Sequence, residues 1–577
     1  MVLAAVLSTN VALAQPKHEI RAVWLTTLGG LDWPTTRAGT PERMERQKRE
    51  LTDILDSLEA AGMNTVLYQA RVKGDVAYRS RLEVFTESFT GHEGKDPGYD
   101  PLAFAVEECH KRGMELHAWI ITIPIGNERQ ISSIGSQSVV KMKPGICKKY
   151  HNVWYLDPGN PETDDYLAAI VKEIVSGYDI DGVHFDYIRY PEHSPKFPDK
   201  DTYKKYGNGK DWQQWRRDNI TRIVARLYNE TKALKPWVKV SSSPIGKYKD
   251  TPRYSSNGWN AYDIVYQDVK EWLRLGIQDA VFPMMYFQEN NFYPFALDWK
   301  ENSHGRLVAP GLGIYFLHPD HGKWKIDEVV RQLYFLRDIG SDGQAYFRNR
   351  FLMDNTQGLM DEIKRRFYTT RAVWQPMTWL DSIPPTVPTE PNIEIDERGK
   401  TTIWWTGSED NSEPYEVFYR VYGSNIYPVD TENAENLIKT RVDDTRFIYS
   451  PKSSIDQKGH FAGEGKTYAG EDKPSPLHWT GEDKPSPLHW AVTAVDRYGN
   501  ESKPLEINAP VTRSIQALSS LPEPPEKWEL VISDITGNEI LRSKSAEGVM
   551  ESLANGFYRV SFEDNEGNTE AAGVFVK

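Results

Sequence analysis

At 577 residues, 39% of them hydrophobic, the chain is long enough for about three domains with packed cores. Its formal net charge of −13 argues against nucleic acid or an anionic membrane surface as partner. The two cysteines, Cys109 and Cys147, make no disulfide framework, and no Cys/His group has zinc spacing, so neither metal nor cofactor is expected.

Val2 to Leu7 is apolar, and Ala12-Leu13-Ala14 precedes Gln15 in the manner of a signal cleavage site, although a basic start is missing. Residues 1–14 are therefore expected to be the remnant of a secretory signal, with the product exported to the periplasm or the cell surface. No other run approaches the ~18 apolar residues of a membrane span. A soluble monomer is expected.

From Ile20 onward, strand-like and helix-like patterns alternate. Candidate strands are Arg21 to Leu28, Thr65 to Arg71, Glu115 to Ile123, Gly182 to Tyr190, Val238 to Gly246, Ala280 to Phe287, Leu307 to Phe316 and Gly343 to Leu352. Between them lie amphipathic stretches such as Pro41 to Ala61, Pro101 to Arg112, Glu162 to Tyr178, Trp212 to Leu234, Ala261 to Leu275 and Lys325 to Ile339. Gly62, Gly113, Gly276 and Gly340 fall where helix C-caps want glycine. Such alternation implies parallel pairing, and eight units in about 350 residues predict an α/β fold, a (β/α)8 TIM barrel over residues 15–380. A doubly wound sheet is the alternative, but no Gly-rich phosphate loop supports it.

The rest of the chain reads as one or two small all-β sandwich domains. Residues 381–391 (DSIPPTVPTEP) form a stiff Pro-rich linker. Residues 392–511 hold short strands, Thr401 to Thr406, Glu416 to Tyr422, Arg446 to Tyr449 and His489 to Asp496, that predict a β-sandwich. Within it GEDKPSPLHWT (Gly470 to Thr480) is followed directly by GEDKPSPLHWA (Gly481 to Ala491), a duplication that lengthens a surface loop. Residues 520–577 read as a further β domain.

The chemistry centres on DGVHFDYIRYP, Asp181 to Pro191. In a strand His184 and Asp186 share a face, and Asp186 comes near the C-terminal end, where barrel active sites lie. Next to the cationic Arg189, Asp186 is expected to stay ionised, as a nucleophile or base. The other strand ends add Asp32 and Trp33, Gln69 and Arg71, His117 and Trp119, Tyr190, Tyr286, Tyr315 and Arg348. Aromatic rings around a carboxylate suit sugar, and Arg, Gln and His suit its hydroxyls. A polysaccharide is thus the expected substrate and glycoside hydrolysis the expected reaction. That reaction usually needs two carboxyl groups. Asp268 and Glu289 are the candidates for the second. Asp157 could equally cap a helix, and Asp32 could equally brace the first loop.

The segments RAVWLTTLGGLDWP, PGYDPLAFAVEECHKRGMELHAW, WYLDPGNPE, DGVHFDYIRYP and YQDVKEWLRLGIQDAVFPMMY resemble glycosyl-hydrolase-like family 10 over about Glu19 to Tyr368. DigH-type members of that family cleave peptidoglycan glycan strands lacking stem peptides. The resemblance implies a (β/α)8 barrel in which Asp186 matches the family's strand-four Asp and Asp268 its Asp before strand six. Where such members often read Pro-Gln-x-Tyr, this chain has Pro283-Met284-Met285-Tyr286, which removes a polar contact to sugar. HWAVTAVDRYGNES resembles the end of a fibronectin type III module, with Trp490 in place of the usual Tyr. The C-terminal segments from Trp528 resemble sorting domains of type IX secretion cargo. The rival to a glycosidase is a non-catalytic carbohydrate-binding or cell-surface protein on a barrel scaffold.

Overall fold

The computed structural model of the chain describes residues 15–508 apart from 193, 256–258, 397–398, 413 and 451–486. It also describes 517–576 apart from 519–520, 522, 526, 535–537, 554–556 and 565–568. The expected signal remnant, and the duplication as far as residue 486, lie outside the described residues.

The barrel strands are β1 (Ile20–Leu25), β2 (Thr65–Arg71), β3 (Glu115–Ile121), β4 (Gly182–Asp186) and β5 (Lys239–Ser242). The other three are β6 (Ala280–Val281 and Met284–Met285), β7 (Leu307–Val308 and Gly311–Leu312) and β8 (Gly343–Tyr346). All pair in parallel and in sequence order from β1 to β6. The first halves of β6 and β7 pair with each other, and so do the second halves, the latter running on to β8 and back to β1. The sheet thus closes on itself into the predicted (β/α)8 barrel. The breaks in β6 and β7 fall at Phe282-Pro283 and Ala309-Pro310, where proline has no N–H for the ladder. Phe282 and Ala309 still donate to Ser242 O and Val281 O at 2.8 and 3.0 Å, so the wall stays continuous.

Each strand leads to a helix: α1 (Pro41–Ala60), α2 (Pro101–Lys111), α3 (Glu162–Gly177), α4 (Trp212–Leu234), α5 (Val269–Arg274), α6 (Tyr293–Glu301), α7 (Ile326–Asp338) and α8 (Leu359–Arg366). The helix starts follow local chemistry. Thr40 caps α1 by accepting from Arg43 N, Asp100 caps α2 by accepting from Leu102 and Ala103 N, and each is followed by Pro at the first helical position. Alternation along β1 divides the core in two. Ile20, Ala22 and Trp24 point into the barrel with Leu67, Trp119, Phe282 and Trp374. Val23 and Leu25 face the helices and meet α1 at Leu51, Leu55 and Leu58.

Two expectations need correction, and one further element was not anticipated. The single helix over 261–275 is two short ones, Ala261–Ile264 and Val269–Arg274, because Tyr266 takes a left-handed φ of 60° between them. The strand read as far as Leu352 ends at Tyr346, and Asn349–Met353 is helical. Between β3 and α3 stands an unanticipated antiparallel sheet, Pro124–Asn127, Val153–Leu156 and Cys147–Tyr150.

Beyond the barrel, an antiparallel sheet of Leu437–Val442, Phe418–Ser424 and His489–Val495 faces the pair Thr401–Thr406 and Arg446–Tyr449. The fully buried Trp490 lies between them, 5.3 Å from the ring of Tyr449. This small sandwich and the barrel form one compact unit up to Ile507. The second unit contains Ile393–Ile395 and the residues from Asn508 on. It carries a five-stranded sheet over a core of Leu530, Ile532, Tyr558 and Val560.

Candidate active site

A cavity of about 750 Å³ opens at the C-terminal ends of the barrel strands. Its walls include Thr26 and Leu28 after β1, Gln69 on β2, Trp119 on β3, Asp186 at the end of β4, Tyr286 after β6, and Phe347 and Arg348 after β8. The inserted sheet overhangs it with Tyr150, His151, Val153 and Tyr155, and Lys73, Tyr187, Arg189, Tyr190, Glu192 and Met284 are also part of the lining.

Asp186 is only 5% exposed. Its Oδ2 accepts from Trp119 Nε1 at 3.1 Å and its Oδ1 from the amide of Tyr187 at 2.7 Å. Tyr187 sits at φ 51°, a conformation that aromatic residues rarely adopt, which ends β4 and turns that amide onto the carboxylate. Burial pushes the Asp186 carboxyl up from the usual range, outweighing the Tyr187 amide, the Ser243 side chain, the charge of Arg189 and Trp119. The expected effect of Arg189 is therefore present but is not the larger one.

Gln69 is 3% exposed and oriented by three donors. Its Oε1 accepts from Thr26 Oγ1 at 2.6 Å and from the amides of Thr27 and Leu28 at 2.9 Å each. Backbone amides only donate, so the oxygen must face them and the amide nitrogen is left for the cavity. Tyr286 stacks on Phe347 at 5.4 Å between ring centroids. Tyr190 forms part of the wall, fully buried against Phe197 and Tyr266.

The other residues singled out in the sequence stand elsewhere. Asp32 ties the loop after β1 to the loop after β8. It accepts from Thr26 N at 2.9 Å, from Arg348 Nη1 at 2.6 Å and from Arg350 N at 2.9 Å. Trp33 is buried and donates to Gln47 O at 2.8 Å. Arg71 is fully buried in a two-pronged pair with Glu83 at 2.7 and 2.6 Å. His117 lies toward the opposite end of the barrel, 3.0 Å from Glu115 and 5.0 Å from the ring of Trp374.

His184 is inside the barrel, where its Nε2 accepts from Trp24 Nε1 at 3.2 Å. That places its proton on Nδ1, 3.0 Å from Ser241 Oγ, and burial holds its pKa well below the ordinary value. Tyr315 packs edge-on behind Tyr286 at 5.7 Å. Asp157 receives Thr202 Oγ1 and Gly159 N at 2.9 Å each, stabilising its own loop. Asp268 precedes α5 and accepts from Tyr248 OH at 2.7 Å. Glu289 lines a separate open hollow with Lys323 and Lys325.

Among the described residues lining the cavity, the carboxyl groups are Asp186 and Glu192. Glu192 and the overhanging sheet escaped the sequence reading, although signals for both were present. Glu192 directly follows the DGVHFDYIRYP segment. The stretch from Thr122 to Pro161 is far longer than an ordinary βα loop of about 2–6 residues.

The sequence profile of the glycosyl hydrolase-like 10 family matches residues 19–315. Glycosyl hydrolase YngK of Bacillus subtilis (strain 168) is 33% identical over 407 residues, covering 67% of this chain and 79% of that one. Glycosyl hydrolase DigH of Escherichia coli (strain K12) is 34% identical over 298 residues, 47% of this chain and 66% of that one. Among solved structures, the PgaB (BpsB) glycoside hydrolase domain from Bordetella bronchiseptica aligns with a TM-score of 0.43 at 15% identity, covering 61% of this chain and 99% of that one. With the profile spanning more than half of its length and the cavity at the mouth of the barrel, this chain belongs to the glycosyl hydrolase-like 10 family.

Proposed function

We propose that this glycoside hydrolase cleaves O-glycosidic bonds of a complex polysaccharide, with peptidoglycan glycan strands that lack stem peptides as the leading substrate. The observation that carries the proposal is Asp186 on the cavity wall, buried, hydrogen-bonded at both oxygens and raised in pKa. A carboxyl group that keeps its proton longer than usual suits the acid that protonates a leaving oxygen. Glu192, whose side chain is 59% exposed at the same cavity, is our candidate for the group that takes the proton of the incoming water. Trp119, Tyr155, Tyr187 and Tyr286 offer faces for sugar rings. The similarity to DigH and the Ala12-Leu13-Ala14 stretch support a cell-wall substrate met after export. No helix among the described residues is long and apolar enough to cross a membrane.

The test is reducing-end release from denuded peptidoglycan and a polysaccharide panel. Asp186→Asn should lose about 10³-fold or more in kcat with an unchanged Tm. Glu192→Gln should lose about 10²-fold, while Asp268→Asn and Glu289→Gln stay within a few fold of wild type. Full activity in Asp186→Asn would sink the proposal, and collapse in Asp268→Asn would return the second role to Asp268.

A further inference from the structure

The chain carries a net charge of −13, yet three permanently or normally cationic side chains, Lys73, Arg189 and Arg348, line the cavity against two carboxyl groups. Arg348 is already engaged, 2.6 Å from Asp32. Lys73 has no ion pair among the described contacts. Arg189 is the unusual one. It is 4% exposed, and its Nε is buried with no hydrogen-bond partner among the described residues. Its Nη1 donates to Tyr190 O at 3.3 Å, and its Nη2 stands 3.7 Å from Glu192, beyond a hydrogen bond. No ion pair joins it to Asp186 among the described contacts.

What holds the guanidinium is aromatic. The Tyr187 ring lies 4.6 Å from its central carbon and the Trp259 ring 5.7 Å. Rings steady a guanidinium but accept none of its N–H groups along their edges. A buried, fixed cation with an idle donor, at the wall of a ligand cavity, is matched by a planar anion able to take two parallel N–H bonds, which is a carboxylate.

Resting on the proposed glycosidase function, we infer that Arg189 anchors a carboxylate carried by the bound sugar, so that the substrate is an acidic glycan. Lys73 adds a second positive charge to the same cavity. The carboxylate is either a lactyl ether side chain or a uronate C6. Both present the same anion, so chemical modification of the substrate can identify the source.

The experiment compares kcat/KM on denuded peptidoglycan strands before and after their carboxyl groups are reduced to alcohols, with uronate oligosaccharides as a second series. Wild type, Arg189→Gln and Arg189→Lys are run in parallel, and Tm confirms that each variant folds. For wild type, reduction of whichever acidic glycan is cleaved should cost about 10–100-fold, the range for a charge-assisted hydrogen bond. Arg189→Gln should lose a similar factor on the native glycan and nothing further on the reduced one, with Arg189→Lys between. Equal rates on native and reduced glycan, or equal losses by Arg189→Gln on both, overturn the inference. If wild type cleaves neither series, the glycosidase reading fails and binding decides the inference instead. Calorimetry with N-acetylmuramic acid, glucuronic acid and N-acetylglucosamine should then show a preference for an acid in wild type that vanishes in Arg189→Gln. No such preference overturns it.

Discussion

Asp186 shows how burial and charge compete at one side chain. Burial acts to raise its pKa, the Tyr187 amide, the Ser243 side chain and the charge of Arg189 act to lower it, and burial is the larger effect. The sign has a kinetic consequence. If Asp186 donates the proton, kcat/KM falls as pH rises through its pKa. Removing the Arg189 charge takes away a lowering influence, so the alkaline limb of the profile should move to higher pH in Arg189→Gln. A pH–rate series on both proteins checks it, and a limb that stays put or moves down refutes the assignment.

Asp186 was legible in the sequence because period-two alternation put it on one face of a strand, toward the C-terminal end; that the strand stops at Asp186 rather than Tyr190 was not. The direction of its pKa was not, since the sequence shows Arg189 three residues away but not the depth of burial. The same blindness affected Arg71, His117 and His184. Each lies on a barrel strand as expected, yet Arg71 is consumed by Glu83 and the two histidines by partners inside or below the barrel.

At the scale of elements, helix starts were readable from Thr40-Pro41 and Asp100-Pro101, whose capping is local chemistry. The overhanging sheet was signalled only by the length of its loop, because its strands are four residues each and pair with one another. The extension of β2 is a similar case. Asp75–Val76 pairs with β2 and with Val84–Phe85, and it brings Asp75 into the electrostatic reach of Glu93.

Burial raises Asp75 to about 6, and burial together with Asp75 and Glu87 raises Glu93 to about 8. Glu83 also faces Asp75, while Arg71, the nearby cation, is paired to Glu83. For an acid whose folded pKa exceeds its unfolded one, the native state holds the extra proton. Stability therefore declines as pH rises from the unfolded values near 4 toward the folded ones, about 6 and 8. Glu93→Gln removes one of the repelling charges. It should raise Tm at pH 8 by about 1–3 °C, with the gain vanishing by pH 5. Thermal melts across that range test it, and a gain that persists at pH 5 would point to packing instead.

On the scale of the whole molecule, the sequence separated barrel and sandwich at a proline-rich linker, whereas the structure joins them into one unit. The linker is secured to the sandwich, where Thr386 donates its amide to Glu409 O at 2.9 Å and Asp381 accepts from Ser412 Oγ at 2.8 Å. Beneath the barrel, Glu501 of the sandwich lies 3.0 Å from Lys17 and 2.6 Å from Arg420, and accepts from Tyr422 OH. Thr440 Oγ1 donates to Gly113 O at 3.0 Å, so closely that a Cβ on Gly113 would lie 2.2 Å from that hydroxyl. Gly113 was readable as a C-cap; that it also makes room for a neighbouring fold was not.

Glu501 is lowered to about 2 despite its burial, chiefly by Arg420 and Lys17. An acid depressed in the folded state contributes stability above its unfolded pKa and loses it as pH falls toward 2. Glu501→Ala leaves Arg420 and Lys17 buried without it, and should destabilise the unit by about 3–5 kcal/mol at neutral pH. Denaturant unfolding followed by barrel tryptophan fluorescence measures this. A loss confined to the sandwich, with the barrel transition unmoved, would refute the coupling.

The sandwich also reaches the foot of β4. Asp181, just before that strand, accepts from His110 at 2.8 Å and lies 3.5 Å from Arg441. Although buried, its carboxyl is held far below the ordinary range by His110, Arg441 and Arg497. Five residues on, at the other end of the strand and about 16 Å away, Asp186 is shifted the opposite way. One short strand and the residue that leads into it thus carry two aspartates that load protons in a fixed order as the solution is acidified. The cavity end can gain its proton and lose it again while the anchored end keeps its charge, so a change of protonation at the cavity leaves the attachment to the fold beneath the barrel in place.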